Sequence, residues 1–138
     1  MLKKGMTALV TGGSGGIGSA VVKTLAARGV TVIAASNDDD KLKALEGIEN
    51  VETCLVDVRD FTKLKELFGG REIDAVINAA GVLGVTGTIY SVPHESAQEI
   101  LDVNVVGIHN VLSSVVPGMV ERNRGHIVNI GSLAGPYP

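Results

Sequence analysis

The chain of 138 residues contains few of the residues that disulfides, metal sites and nucleic-acid interfaces require. Its single cysteine, Cys54, excludes an internal disulfide and stands in an apolar segment, which predicts a buried, unreactive thiol. The histidines His94, His109 and His126 are too far apart in sequence for metal-ligand spacing. With a net charge of −3, two tyrosines, two phenylalanines and no tryptophan, the sequence also argues against a nucleic-acid partner.

Long apolar runs are missing as well. No run reaches the roughly eighteen apolar residues of a membrane span, and the first apolar stretch is too short for a signal peptide. We therefore expect a cytoplasmic protein without a membrane partner. The hydrophobic content of 45% and the lack of low-complexity tracts predict one globular domain over residues 1–138.

Glycine is abundant, and its densest cluster is the segment TGGSGGIG at residues 11–18. It lies between an apolar run typical of a strand and a pattern typical of a helix. Glycine allows close approach to the backbone, and a helix start offers unpaired N–H groups to an anion, so a dinucleotide pyrophosphate is the expected ligand. The glycines fit the spacings GxGxxG, GxxGxxG and GxxxGxG. An ordinary strand-to-helix turn is the alternative, and a P-loop is disfavoured because Ser19 follows Gly18 without a lysine.

Apolar runs and helical patterns alternate along the chain. Strands are expected at residues 6–10, 30–35, 51–56, 74–78 and 126–130, and helices at 17–28, 41–46, 61–68, 93–102 and 104–122. The strands are continuously apolar, as in a parallel sheet covered on both faces. This order predicts an α/β fold with a doubly wound, Rossmann-like parallel sheet, truncated after the fifth strand.

Polar residues stand where each expected strand ends. They are Thr11, Ser36, Asp57, Asn78 and Ser132. Because the ligand crevice of such a sheet lies at the carboxyl ends of its strands, we expect these residues to line one crevice. The alternative for each residue alone is a turn or capping role.

Together these residues resemble the short-chain dehydrogenase/reductase family. Its landmarks appear here in order and across nearly the whole chain, as TGGSGGIG at 11–18, Asp57-Val58, NAAG at 78–81, Asn104 within DVNVVG and Ser132 within HIVNIGS. One departure is Ala79, where the family commonly has a second asparagine. The resemblance implies an oxidoreductase that moves hydride between NAD(P) and a small-molecule carbonyl or secondary alcohol.

The resemblance also implies a set of cofactor contacts. Gly12, Gly16, Ile17 and Gly18 would lie beside the pyrophosphate, Asp57 and Val58 at the adenine, and Asn78 and Gly81 near the ribose, with Ser14, Ser36, Asn37 and Ala79 completing the cofactor-binding set.

Two residues would take part in catalysis according to the same resemblance. Ser132 would hold the substrate oxygen, and Asn104 would kink the long helix and hold a water in a proton relay. An N-cap role for Asn104 remains the alternative from the local sequence, because an apolar helical pattern follows it.

The choice between NAD and NADP is less clear from the sequence. An acidic residue after the second strand favours NAD, and a nearby arginine favours NADP. Ser36 and Asn37 are neither, Gly15 stands where NADP enzymes often carry a basic residue, and the aspartates at 38–40 would repel a phosphate if they were close. These features lean weakly to NAD.

The family's Tyr-x-x-x-Lys pair does not occur in the 138 residues, since Tyr137 follows Ser132 too closely and no lysine stands four positions later. We therefore expect these residues alone to be inactive, with a non-catalytic dinucleotide-binding module as the alternative function. The fifth strand should be a sheet edge, and its exposed apolar surface is expected to be covered either by further chain or by a homo-oligomer. The long helix would supply the contact surface of a homo-oligomer through Val106, Leu112, Val116 and Met119, unless these residues pack in the chain's own core.

Overall fold

The computed structural model describes residues 2–132, in which a parallel sheet is flanked by helices. Its strands are β1 (Thr7–Thr11), β2 (Thr31–Ser36), β3 (Val51–Leu55), β4 (Ala75–Asn78) and β5 (His126–Asn129). Its helices are α1 (Gly16–Ala26), α2 (Asp39–Lys43), α3 (Phe61–Phe68), α4 (His94–Leu101) and α5 (Gly107–Glu121), and a π-helical turn at Asp102–Val106 joins the last two. The strand order is β3-β2-β1-β4-β5, which confirms the doubly wound α/β fold.

Strand β1 lies at the centre of the sheet. It pairs with β2 from Thr7↔Thr31 to Thr11↔Ala35, and with β4 from Ala8↔Ala75 to Thr11↔Asn78. All pairings are parallel, so the carboxyl ends of the strands meet at one edge. This edge brings together the glycine turn after β1 and the segments after β2, β3 and β4.

Successive residues of β1 enter two separate cores, because side chains alternate between the faces of a strand. Leu9 packs with Leu64 and Phe68 of α3 and with residues of α5. Ala8 and Val10 pack on the other face, among side chains of α1 and α2. The sheet is therefore covered on both faces around its centre.

Helix α1 buries one narrow stripe of residues. These are Gly18, Val22 and Ala26, whereas Ile17 is 60% exposed. The reason lies at Gly18, which packs directly against Gly12 of the turn. Helix α1 therefore packs on the sheet through the row of buried residues that begins at Gly18.

Helix α2 begins and ends earlier than predicted. The side chain of Asp38 accepts a hydrogen bond from the N–H of Lys41 at 3.0 Å, which caps a five-residue helix at Asp39–Lys43 rather than at 41–46. This capping bond fixes the residue at which the helix starts.

The two helices predicted at 93–102 and 104–122 form one continuous helix, His94–Glu121. This 28-residue helix is long and apolar enough to cross a membrane by composition alone. It nevertheless packs along α3, and Val111, Val115 and Met119 lie in the core beneath it, so it acts here as a covering helix.

Strand β5 forms one edge of the sheet, as predicted, and all four of its residues are exposed. The other edge is β3, where Cys54 is only partly buried rather than fully buried. Burial still raises the pKa of the Cys54 thiol, which keeps it protonated and weakly nucleophilic.

Candidate functional site

A cleft with about 830 Å³ of empty space, its open mouth included, lies at the carboxyl edge of the sheet. Four chain segments and the long helix form its walls. The lining residues are Gly12, Ser14 and Gly15 of the glycine turn, Ala35–Asp38 and Lys41 at and beyond the end of β2, Val56–Arg59 after β3, Ala79–Val82 after β4, and Glu99 and Val103 of the helix.

The glycine turn is compact because its glycines pack against other backbone atoms. Gly12 has a φ of +63°, and a Cβ there would lie 2.6 Å from the amide nitrogen of Ala80. A Cβ on Gly18 would overlap the carbonyl oxygen of Gly12. A Cβ on Gly16, in contrast, would meet no atom within 4 Å in the part of the chain that the structure describes. The chain's own packing therefore requires Gly12 and Gly18 but leaves open space at Gly16.

Helix α1 begins at this open position. Its N-cap is Gly15, so no side chain caps the first turn in the described part of the chain. The first N–H groups of an α-helix lack partners within the helix and carry its positive dipole end. With bare glycine around them, they can bind an anion such as a pyrophosphate.

The end of β2 forms a polar corner of the cleft. The Ser14 hydroxyl donates to the Ser36 hydroxyl at 2.7 Å, and Ser36 also accepts from the N–H of Asp38 at 3.2 Å. The Lys41 ammonium lies 2.6 Å from the Asp38 carboxylate. This pair lowers the pKa of Asp38 and raises the pKa of Lys41, so both groups are ionised at neutral pH.

A second ion pair lies on the segment after β3. The Arg59 guanidinium contacts the Asp57 carboxylate at 2.6 Å and 3.0 Å, and the N–H of Arg59 donates to the same carboxylate at 2.9 Å. These bonds lower the pKa of Asp57 to about 2. Asn37 adds a longer bond to Asp57 at 3.4 Å, which links the segments after β2 and β3.

Asn104 holds the segment that follows β4. Its side-chain oxygen accepts from the N–H of Val82, and its nitrogen donates to the carbonyl of Val82, both at 2.9 Å. Asn104 lies inside the π-helical turn, so the N-cap alternative is wrong. Because its amide already binds Val82, the relay role of Asn104 stays a prediction that this geometry does not explain.

Asn78 does not reach the cleft wall. Its side chain is 2% exposed, donates to Asn129 at 2.8 Å and accepts from Thr11 at 3.4 Å. Its place between β1 and β5 ties three strands together. A contact of this side chain with a ribose, as the resemblance implied, would require it to leave these partners.

The five strand-end residues are therefore only partly brought together. Ser36 and Asp57 line the cleft, whereas Thr11 and Asn78 lie buried beside it around a small void. Ser132 is exposed and lies three residues after the end of β5, outside the residues that line the cleft.

The remaining predicted cofactor residues divide in the same way. Gly12, Ser14, Asn37, Val58, Ala79 and Gly81 line the cleft, whereas Gly16 and Ile17 lie on the outer side of the helix start and Gly18 is buried beneath the turn.

Three charged cleft residues were missed by the sequence reasoning. Lys41 is brought in by the short α2, Arg59 by its bond to Asp57, and Glu99 by the long helix. Lys41 could have been found from the capping pattern, because it stands three residues after Asp38. Glu99 carries no comparable local signal.

Comparison with known proteins gives a consistent family assignment. A family model described as short chain dehydrogenase matches residues 6–138. The NADP-dependent 3-hydroxy acid dehydrogenase YdfG of Salmonella typhi is 36% identical over 140 residues, which cover 96% of this chain and 56% of that protein. The chain thus spans little more than half the length of this relative.

Solved structures agree with this relationship. The closed form of serine dehydrogenase complexed with NADP+ matches with a TM-score of 0.91 and 32% identity, over 96% of this chain and 56% of that one. A 3-oxoacyl-acyl-carrier-protein reductase from Brucella melitensis with bound NAD matches with a TM-score of 0.86 and 29% identity, over 98% of this chain and 56% of that one. Both cofactors occur among similar proteins, and the expectation of NAD over NADP is not supported.

Proposed function

This chain belongs to the short-chain dehydrogenase family, and we propose from that membership that it forms the dinucleotide-binding part of an NADP-dependent oxidoreductase. The protein would interconvert a small carbonyl compound and the corresponding alcohol. The dinucleotide, when bound, would supply or accept the hydride. The 138 residues alone are proposed to be inactive, because they contain no Tyr-x-x-x-Lys pair.

The observation that carries this proposal is the contrast among the turn glycines. Gly12 and Gly18 are explained by packing, whereas Gly16 adjoins open space at the start of α1. A bare helix start next to a cleft suits a pyrophosphate, since its N–H groups and dipole can act without obstruction. The residues present therefore fit a dinucleotide.

The charged residues of the cleft support NADP. Of the three consecutive aspartates, only Asp38 lines the cleft, and it is paired with Lys41. Asp39 and Asp40 both bind Lys43, at 2.9 Å each, so the repulsion expected from them is reduced. Lys41 is then the cation placed to contact a 2′-phosphate, with the Ser14 and Ser36 hydroxyls beside it.

Two further segments receive proposed roles. The segment Asp57, Val58 and Arg59 would bind the adenine, and we name it the adenosine wall. Ser132 would donate a hydrogen bond to the substrate oxygen and so orient the reacting carbon, while the tyrosine of a Tyr-x-x-x-Lys pair would be the general acid. A homo-oligomer remains part of the proposal, although Met119 and part of Leu112 are used by the chain's own core.

The first test replaces Gly16 with aspartate. The side chain has space, so the variant should fold, but its carboxylate would repel the pyrophosphate. We expect NADPH binding to weaken by about a hundredfold or more with an unchanged thermal midpoint. Gly16→Ala is the matched control and should retain most of the affinity. Wild-type-like NADPH affinity in Gly16→Asp would reject this binding site.

The second test examines cofactor choice with Lys41→Ala, and Lys43→Ala as the matched control on the same helix. Losing a charge-assisted bond to the 2′-phosphate should weaken NADPH binding about tenfold and leave NADH binding unchanged. Lys43 does not line the cleft, so its variant should resemble wild type. Equal effects of Lys41→Ala on both cofactors would exclude the proposed phosphate contact.

Turnover is tested separately with the complete protein. Nicotinamide-dependent oxidation or reduction of ketones, aldehydes or alcohols would support the oxidoreductase. Dinucleotide binding without turnover on any of these classes would instead favour a non-catalytic binding module.

A further inference from the structure

One buried amide reaches the adenosine wall from the long helix. Asn110 of α5 is 8% exposed, and its side-chain nitrogen donates to the carbonyl of Val58 at 3.0 Å and, more weakly, to the carbonyl of Arg59 at 3.4 Å. The contact spans 52 positions of sequence and joins a helix to a loop. Asn110 does not itself line the cleft.

The adenosine wall depends on such a contact because it has left the sheet. The register of β3 with β2 ends at Ser36↔Leu55, and the N–H of Val56 makes the last bond to β2, at 2.8 Å from the carbonyl of Ser36. From there to the start of α3 the backbone lies outside the ladder. A buried carbonyl in such a segment needs a donor from elsewhere, and Asn110 supplies one to Val58.

The helix fits the wall by shape as well. Gly107 lies one turn before Asn110, and a Cβ on Gly107 would be 2.6 Å from a methyl group of Val58. The side chain of Val58 therefore occupies the space that the glycine leaves, while Asn110 binds the carbonyl of the same residue. Side chain and main chain of Val58 are fixed by neighbouring turns of α5.

We infer that Asn110 is a positioning residue for the adenosine end of the dinucleotide, an inference that rests on the proposed function. By binding the carbonyl of Val58 it fixes the peptide that joins Val58 to Arg59. The N–H of that peptide donates to the Asp57 carboxylate at 2.9 Å. The orientation of Asp57 towards an adenine thus depends on a residue that the cofactor never touches.

Ser114 provides the comparison for a merely structural polar group. It lies one turn beyond Asn110, is 4% exposed, and donates only to the carbonyl of Asn110 within the helix, at 2.9 Å. Removing its hydroxyl should affect stability without moving the adenosine wall. Ser114→Ala is therefore the matched control.

The experiment uses the complete protein and the variants Asn110→Asp, Asn110→Leu and Ser114→Ala. Leucine cannot donate to Val58, and aspartate cannot donate to it while its carboxylate is ionised. Leucine also avoids a buried charge if the aspartate variant fails to fold. Each variant is titrated with NADPH, with adenosine 2′,5′-bisphosphate for one end of the cofactor, and with nicotinamide mononucleotide for the other.

We expect both Asn110 variants to bind NADPH and adenosine 2′,5′-bisphosphate about tenfold more weakly than wild type. Without the bond to Val58, part of the binding free energy is used to order the adenosine wall. Nicotinamide mononucleotide should bind as to wild type. In steady-state assays KM for NADPH should rise by the same factor while kcat stays within about twofold. Ser114→Ala should leave all three affinities unchanged.

Unchanged affinity for adenosine 2′,5′-bisphosphate in a folded Asn110 variant would overturn the inference. Equal weakening of both cofactor fragments would also overturn it, since that pattern indicates general loss of structure. If wild type bound neither NADPH nor NADH, the proposed function itself would fail, and this result is separate from any effect of Asn110.

Discussion

Strands β1 and β5 have similar apolar sequences but very different surroundings. In β1, TALVT, four of five residues are buried, whereas in β5, HIVN, every residue is exposed. The difference comes from position, because β1 has strand neighbours on both sides and helices on both faces, while β5 is an edge. An apolar run in the sequence thus predicts a strand, but it does not predict whether that strand is buried in the sheet or exposed at its edge.

The largest difference in stability between these two regions is expected for alanine substitutions at a glycine after β1 and a glycine after β5. In Gly18→Ala the new methyl group would overlap the backbone of Gly12, whose neighbours leave no room to move. We expect a loss of about 4 kcal/mol or more in the free energy of unfolding, or no folded protein. Gly131→Ala, after β5, meets no atom of residues 2–132 within 4 Å and should change this free energy by less than about 0.5 kcal/mol. Urea unfolding of both variants is the measurement, and a stable Gly18→Ala protein would contradict the packing described for the turn.

A smaller difference is expected between the strands themselves. Leu9 of β1 is 0% exposed, and Leu9→Ala should cost about 3 kcal/mol of unfolding free energy through lost burial and a new cavity. Ile127 of β5 is 46% exposed, so Ile127→Ala should cost about 1 kcal/mol or less.

The free energies of unfolding of Leu9→Ala and Ile127→Ala are measured by denaturant unfolding under the same conditions. Equal losses in the two variants would mean that β5 is covered in solution, for example by further chain or a second copy. That outcome would break the contrast between the centre and the edge of the sheet.

The smallest predicted effect concerns pH and the cleft beside β1. Arg59 holds the pKa of Asp57 at about 2, below its ordinary value near 3.8. A lowered carboxyl pKa stabilises the folded chain above pH 4, and this contribution is lost as the pH falls from about 4 to about 2. Because the pair is partly exposed, the contribution should not exceed about 1 kcal/mol.

Asp57→Asn tests this dependence. Its urea midpoint should fall less steeply than that of wild type between pH 4.5 and pH 2.5, while above pH 5 the variant should be slightly less stable. Asp40→Asn is a suitable control, because Asp40 lies outside the cleft and its side chain is exposed. Parallel curves for wild type and Asp57→Asn would show that the Arg59 pair contributes nothing measurable.

Much of the fold could be predicted because its signals are local and periodic. The five strands, their parallel arrangement and the glycine turn all follow from short apolar runs separated by helical patterns. The sequence was less informative where contacts outside a segment determine its structure. The contact of Gly18 with Gly12 sets which face α1 buries, and α4 continues into α5 because a π-helical turn replaces the predicted break at residue 103.

The candidate site was predictable to the extent that its residues follow strands. Ser36 and Asp57 do so, and they line the cleft. Lys41 and Glu99 come from helices, and Asn110 lies 52 residues beyond Val58 of the wall that it holds, so no spacing rule within one segment could connect them. Asn78 shows the converse case, since a strand-end position did not bring its side chain to the cleft.

The π-helical turn at Asp102–Val106 makes the length of the long helix as important as its composition. Adding or removing one residue in an α-helix rotates everything beyond that point by about 100°. The wider turn accommodates one residue more than an ordinary turn and so sets the rotation at which Gly107 and Asn110 meet Val58. Val105 lies within this turn and is 58% exposed, so it should tolerate many substitutions, and its deletion would close the wide turn into an ordinary helical turn. Deleting one residue between Gly107 and Asn110 has no such remedy, because it would rotate Asn110 away from Val58 while Gly107 stays in place.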